Sequence, residues 1–254
     1  MTTRDGTSAV THAFTDRRVI FNADDFGLSP GVNLGIAEAY DRGVLTSASL
    51  MALGDAAAHA VAIAAARPGL SLGLHLDFGE WVYAEGEWVP RREIVRLDDA
   101  WALRAEVSRQ LDRFEALVGA PPTHLDSHQH VHALEPARGI VAEAGLRMGV
   151  PVRSVSGPVR YCGDFYGQTG VGEPRHEVLT LEGLVGILRG LDAPVTELGC
   201  HPGRDPGLDS VYARERMLEV HVLTDPRLPG VLAVERIVPA SFASLAPASA
   251  AALH

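Results

Sequence analysis

The sequence predicts an α/β fold, a single TIM-like (β/α) barrel, on three observations. Short apolar runs alternate about seven times with helix-patterned stretches, without a break in composition, as parallel strands covered by helices require. Polar residues accumulate at the ends of several different runs, and no G-x-G-x-x-G follows the first one, which disfavours a doubly wound nucleotide-binding sheet. A chain of 254 residues suits one such barrel, seven-stranded or distorted. Residues 1–17 read as a polar arm and 18–254 as the domain.

The first strand is the apolar run Arg18 to Ala23, ending at Asp24-Asp25-Phe26-Gly27. Ser29 then caps a helix with Pro30 at its first position, and Val32, Ile36 and Tyr40 keep a helical period up to Gly43. Ser47 to Leu53 is a second strand, Asp55 to Ala66 an alanine-rich helix, and Leu70 to Leu76 a third strand. Residues 78–98 show no period and read as a long loop or lid. Asp99 to Val118 is a helix with Leu103, Val107, Leu111 and Phe114 on its inner stripe. Beyond Pro121-Pro122, the reading is strand (Thr123 to His128), helix (Glu135 to Arg147), strand (Pro151 to Val155) and a glycine-rich polar loop (Tyr161 to His176). A helix from Leu181 to Leu191, a strand from Val195 to Gly199, a helix from Asp209 to Leu223 and a last strand from Val231 to Val238 complete the chain before an alanine-rich tail.

Composition removes several function classes. The formal charge is −10 and no basic block exists, so neither nucleic acid nor an anionic membrane is an expected partner. All 22 basic residues are arginine, which excludes lysine Schiff bases, a PLP-anchoring lysine and a P-loop lysine. Cys162 and Cys200 are too few for a disulfide framework, and the sequence has neither a signal-type apolar segment nor a run approaching the roughly 18 apolar residues of a membrane span. The expected location is the cytoplasm. A homo-oligomer is left open.

In a parallel β/α fold the strand ends share one face. Those ends supply Asp24, Asp25, His75, Asp126, His128, His130, His132, Arg153 and His201, an inventory suited to a divalent ion such as Zn²⁺ with positions left for water and substrate. The segment Thr123 to His132 holds four histidines within nine residues, and in an extended chain His128, His130 and His132 share one side. His59, His176 and His221 stand alone and read as ordinary surface or hydrogen-bonded histidines. Asp24-Asp25 could cap the following helix, or could divide its work, one carboxylate on a metal and the other acting on water.

Four segments together resemble the YdjC-like carbohydrate deacetylases, which include the chitooligosaccharide deacetylases and the hopanoid-associated HpnK proteins. They are Asn22 to Ser29, Gly73 to Leu76, Thr123 to His132 and Cys200 to Gly203, in the family's order. The resemblance implies a β/α barrel, one divalent metal (Zn²⁺ or Mg²⁺, with Co²⁺ serving in vitro) and hydrolysis of the N-acetyl group of a small amino sugar or oligosaccharide. It implies Asp25, His75 and His128 as metal ligands, Asp24 as base and His201 as acid. Arg153 beside the base, with Asp126, His130 and His132, would support them. The aromatic residues of the two long segments, Trp81, Tyr83, Trp88, Tyr161, Phe165 and Tyr166, are candidates for stacking on a sugar, Trp81, Tyr161, Phe165 and Tyr166 foremost, against the plainer role of packing those segments. A phosphoesterase using the same ligands, or a sugar-binding homologue without catalysis, is the alternative.

Overall fold

The computed structural model describes residues 16–245, so the alanine-rich tail and all but the end of the polar arm lie outside the described residues. The first strand, β1 (Arg17–Phe26), is longer than its apolar run and contains both Asp24 and Asp25. α1 (Pro30–Arg42) starts as its sequence requires, with the Ser29 hydroxyl accepting from Val32 N–H at 3.1 Å. β2 (Ser47–Leu50), α2 (Ala57–Ala65) and β3 (Ser71–Leu76) complete the first half of the alternation.

Residues 78–98 are not a loop. They fold into an antiparallel hairpin, β4 (Gly79–Ala84) and β5 (Glu87–Glu93), with Tyr83 opposite Trp88 and Val82 opposite Val89. Period-2 alternation is hidden here because β5 is exposed on both faces and has no core to impose it. α3 (Ala100–Val118) follows, N-capped by Asp99 and ended by left-handed Gly119, with Leu103, Val107, Leu111 and Phe114 buried as the period predicts.

β6 is only Leu125–Ser127, because the chain leaves the extended conformation at His128 and turns through His128–Ala133, kinked at Gln129 and His130. α4 (Ala137–Met148) leads to a segment that makes isolated bridges through Val152 but is no strand, correcting the reading of Pro151 to Val155. The polar loop contains the short strand β7 (Arg160–Cys162), a 3₁₀ turn at His176–Val178 closes it, and α5 (Leu181–Gly190) and β8 (Val195–Cys200) follow. α6 (Ala213–Leu223) precedes α7 (Leu228–Val234), which replaces the first half of the expected last strand; β9 is confined to Ile237–Pro239, and α8 (Phe242–Leu245) ends the described chain.

The parallel sheet runs β6-β3-β2-β1-β8-β7, with β9 beside the start of β1. β6 and β7 do not pair, so the sheet is a curled, open barrel and the closed TIM-like form is not reached. Its curl is visible in one side chain. β6 and β8 are four steps apart, about 19 Å in a flat sheet, yet Arg153 touches Asp126 in β6 and Glu197 in β8. Among the described residues no helix is long and apolar enough to cross a membrane.

Candidate active site

The site forms where β1, β3 and β6 end. β1 breaks its register against β2 between Ala23 and Phe26, and Asp25 takes a left-handed conformation (φ 63°). The two adjacent carboxylates therefore diverge. Asp24 points toward Arg153 and accepts from Asn22 Nδ2 at 3.0 Å, while Asp25 faces His75, His128 and Arg216.

His75 Nε2 lies 3.2 Å, and His128 Nδ1 3.0 Å, from the same oxygen, Asp25 Oδ1. The other ring nitrogen of His75 is 2.8 Å from Asp126 Oδ1, whose partner oxygen accepts from Ser49 Oγ at 2.7 Å. One carboxylate oxygen and two imidazole nitrogens thus converge within 4.8 Å of one another, and a carboxylate behind His75 fixes which nitrogen faces inward. This donor set fits a divalent cation. A second group, Asp24, His75 and Asp126, meets the same distance criterion, but the Arg153 guanidinium already bonds both of its carboxylates.

The histidine-rich segment divides its labour differently from an extended strand. Gln129 (φ 52°) and His130 (φ 56°) are left-handed, so the alternation after His128 is lost. His128 faces Asp25. His130 Nε2 sits 3.2 Å from Tyr161 Oη at the mouth of the cleft. His132 is buried with both nitrogens engaged, Nδ1 at 2.8 Å from Ser127 Oγ and Nε2 at 2.9 Å from Arg153 O. It braces the turn that carries Arg153.

Arg153 is buried among three carboxylates. It grips Asp24 with two 2.6 Å bonds, reaches Asp126 at 2.7 Å and binds Glu197 through Nε at 2.9 Å. Burial alone would raise the Asp24 carboxyl, but the guanidinium outweighs it and holds the group below the ordinary carboxylate range. Asp25 is likewise held well below that range, burial being outweighed by Arg216 and His128. Glu197, the weakest competitor for the shared cation, is pushed up to about 7 by burial.

His201 follows β8, with Nε2 3.7 Å from Asp24 Oδ2. Its backbone N–H donates to Glu219, which also accepts from Tyr212 Oη at 2.8 Å. Burial pushes His201 down to about 4 and Glu219 up to about 8, so at neutral pH both are uncharged. The Tyr166 ring stacks on Tyr212 at 4.3 Å and meets the His201 ring edge-on at 5.2 Å.

These groups floor a cleft of about 540 Å³ whose walls include Trp81, Tyr83 and Trp88 from the hairpin, with Tyr161 and Tyr166. Phe165 is fully buried in the hydrophobic core and does not reach the cleft. Three buried groups were not singled out from the sequence: Glu197, Arg216 and Glu219. Each left a signal. Glu197 is a lone charge in an apolar strand run, and Tyr212, Arg216, Glu219, Val220 and Leu223 form one helical stripe in which charges occupy inward positions.

A family model described as "YdjC-like protein" matches residues 18–234. The carbohydrate deacetylase of Geobacillus stearothermophilus is 36% identical over 237 residues, covering 85% of this chain and 93% of that protein. The chitooligosaccharide deacetylase of Serratia marcescens is 33% identical over 253 residues, covering 91% and 100%. Among solved structures, an Enterococcus faecalis V583 protein named for cellobiose-phosphate cleavage superposes with a TM-score of 0.71 at 23% identity, covering 92% of this chain and 100% of that one, a likeness of fold alone.

Proposed function

The chain belongs to the YdjC-like family, and from that premise we propose that it is a metal-dependent carbohydrate deacetylase, hydrolysing the N-acetyl group of an amino sugar or short oligosaccharide. The observation that carries the reading is the convergence of Asp25, His75 and His128 beside an arginine-held Asp24.

Amide hydrolysis needs a polarised carbonyl, a deprotonated water and a proton for the leaving amine. A divalent cation held by Asp25, His75 and His128 would supply Lewis acidity toward the acetyl oxygen and acidify water. Asp126 and Asp25 orient the His75 ring from its two sides. Asp24 stays ionised under Arg153 and offers Oδ2 to the water's proton. His201, neutral in the free protein, then has its role limited by supply: the proton it gives to the sugar nitrogen is one it must first receive, and Asp24 Oδ2 is the source 3.7 Å from its Nε2. Tyr161, with Arg153 over one ring face, and Tyr166, stacked on Tyr212, line the cleft where a pyranose would lie.

The test is release of acetate and free amine from N-acetylated mono- and oligosaccharides, with Zn²⁺, Co²⁺ and Mg²⁺ supplied in turn and with a chelator as control. Stoichiometric acetate that the chelator abolishes supports the reading. Turnover of phosphate esters with no acetate released would overturn it.

A further inference from the structure

Gln129, directly after His128, and His130 beyond it are consecutive non-glycine residues in the left-handed region. Each such residue crowds Cβ against its own carbonyl, and the side chains along this turn are each engaged on a different neighbour, so His128 keeps its own anchor whatever Gln129 does. His128 is anchored on Asp25 and His130 on Tyr161. Gln129 reaches the hairpin instead. Its Oε1 accepts from Trp81 N–H at 2.8 Å and its Nε2 donates to Trp81 O at 2.8 Å. Pro90, opposite Trp81 in β5, has no N–H, and the Gln129 carboxamide takes both backbone groups of Trp81 as a neighbouring strand would.

Because Tyr83 and Trp88 are directly opposite, they share a face of the hairpin with Trp81, and their rings meet edge-on at 5.6 Å. All three line the cleft, though β5 is exposed along its length. Across the cleft, Arg91 pairs with the exposed Asp209, a tie that solvent and salt weaken. The clamp on Trp81 is exposed too, but it is uncharged, so salt does not screen it, and its two bonds start from the residue next to His128.

We propose that Gln129 is a positioning residue that fixes the aromatic face of the β4–β5 hairpin relative to His128, making the hairpin the platform for the sugar unit adjoining the one being deacetylated. This rests on the deacetylase reading. A pyranose presents C–H faces that pack on aromatic rings, and a rigid platform gives up less conformational entropy on binding than a mobile one. A two-sugar substrate uses both floor and platform. A single sugar occupies the floor and is indifferent to Gln129.

The experiment compares wild type, Gln129→Ala and Gln129→Glu, the last keeping an acceptor for Trp81 N–H while opposing Trp81 O. Amide hydrogen exchange over residues 79–93 reads the clamp. Tryptophan fluorescence titrated with an N-acetylglucosamine disaccharide and with the single sugar reads the platform, and KM and kcat for both are measured on the metal-loaded enzyme. Expected for Gln129→Ala are about tenfold faster exchange at Trp81 and about a tenfold rise in disaccharide half-saturation and KM. Single-sugar values, kcat and metal content should stay within about twofold, with Gln129→Glu intermediate. Unchanged exchange, or an equal loss for both sugars, overturns the inference. Absence of acetate release by the wild type would overturn only the deacetylase reading, because exchange and fluorescence report on Gln129 without turnover.

Discussion

Arg153 holds Asp24 with both terminal nitrogens, Nη1 on Oδ2 and Nη2 on Oδ1, each at 2.6 Å. The grip does two things at once. It keeps Asp24 ionised in a place where burial opposes charge, and it turns the remaining side of Oδ2 toward His201.

Arg153→Lys tests that grip. An ammonium retains the charge but cannot bond Asp24 from two sides while also serving Asp126 and Glu197. With the buried carboxylates left short of a partner, the cost should be of order 3–5 kcal/mol in urea unfolding, with kcat lowered more than about tenfold. A variant as stable and as active as wild type would show that the guanidinium geometry is immaterial.

Metal affinity should follow position. His75→Ala and Asp25→Asn should lose stoichiometric divalent ion by elemental analysis, whereas His59→Ala, which removes a ring bonded only to Asn33 among the described residues, should retain it. Asp126→Asn should fall between, binding about 10–100-fold more weakly, since Asp126 orients His75 without facing the ion. Equal metal content in all four proteins would remove the site.

Stability should carry the signature of Glu219. Its carboxyl ionises near 4.5 in an unfolded chain but is pushed up to about 8 by burial in the fold. Between those values the folded state binds the extra proton, so stability contributed by Glu219 is present below pH 4.5, declines as pH rises toward about 8, and is constant above. Glu219→Gln keeps one of the two acceptor oxygens, for the His201 N–H, turns an amide N–H toward the Tyr212 oxygen, and removes the titrating proton. Its melting temperature should therefore fall less steeply than the wild type's across that window. Parallel Tm–pH curves would mean that Glu219 titrates normally.

The alternation of runs in the sequence was enough to place β1, β2, β3, β8 and most helices, because those segments are buried on known faces and the pattern records burial. The hairpin was illegible for the complementary reason: exposed β5 has no hydrophobic phase. Strand ends converge in any parallel sheet, closed or open, and that put Asp24, Asp25, His75, His128 and His201 in one inventory with Asp126, His130, His132 and Arg153, all nine within reach of one cleft. The division into ligands, base and acid rests on the family resemblance. What periodicity could not supply was the kink after His128, set by two left-handed residues whose side chains are satisfied by Trp81 and Tyr161. Nor could it reveal that Glu219 lies behind His201, a contact between α6 and a loop 18 residues earlier. Phe165 looked like its neighbour Tyr166, but one ring faces the core and the other the cleft.

Asp24 and His201 should be separable by the leaving group. Asp24→Asn keeps the acceptors for Arg153 and Asn22 in part, yet cannot take a proton from water, so metal should remain bound while kcat falls by roughly 10²–10⁴ for every substrate. His201→Ala should also keep its metal, since His201 is not among the converging ligand atoms. Its defect should scale with the basicity of the departing group: large for the sugar amide, whose amine leaves only when protonated, and small for an activated acetyl ester, whose alkoxide needs no proton. The double variant should then match Asp24→Asn on the ester, because the histidine contributes nothing once the leaving group is good. Metal analysis and paired amide and ester kinetics decide this. Loss of metal in Asp24→Asn would move that residue into the ligand set, and wild-type amide turnover by His201→Ala would strip the histidine of its role.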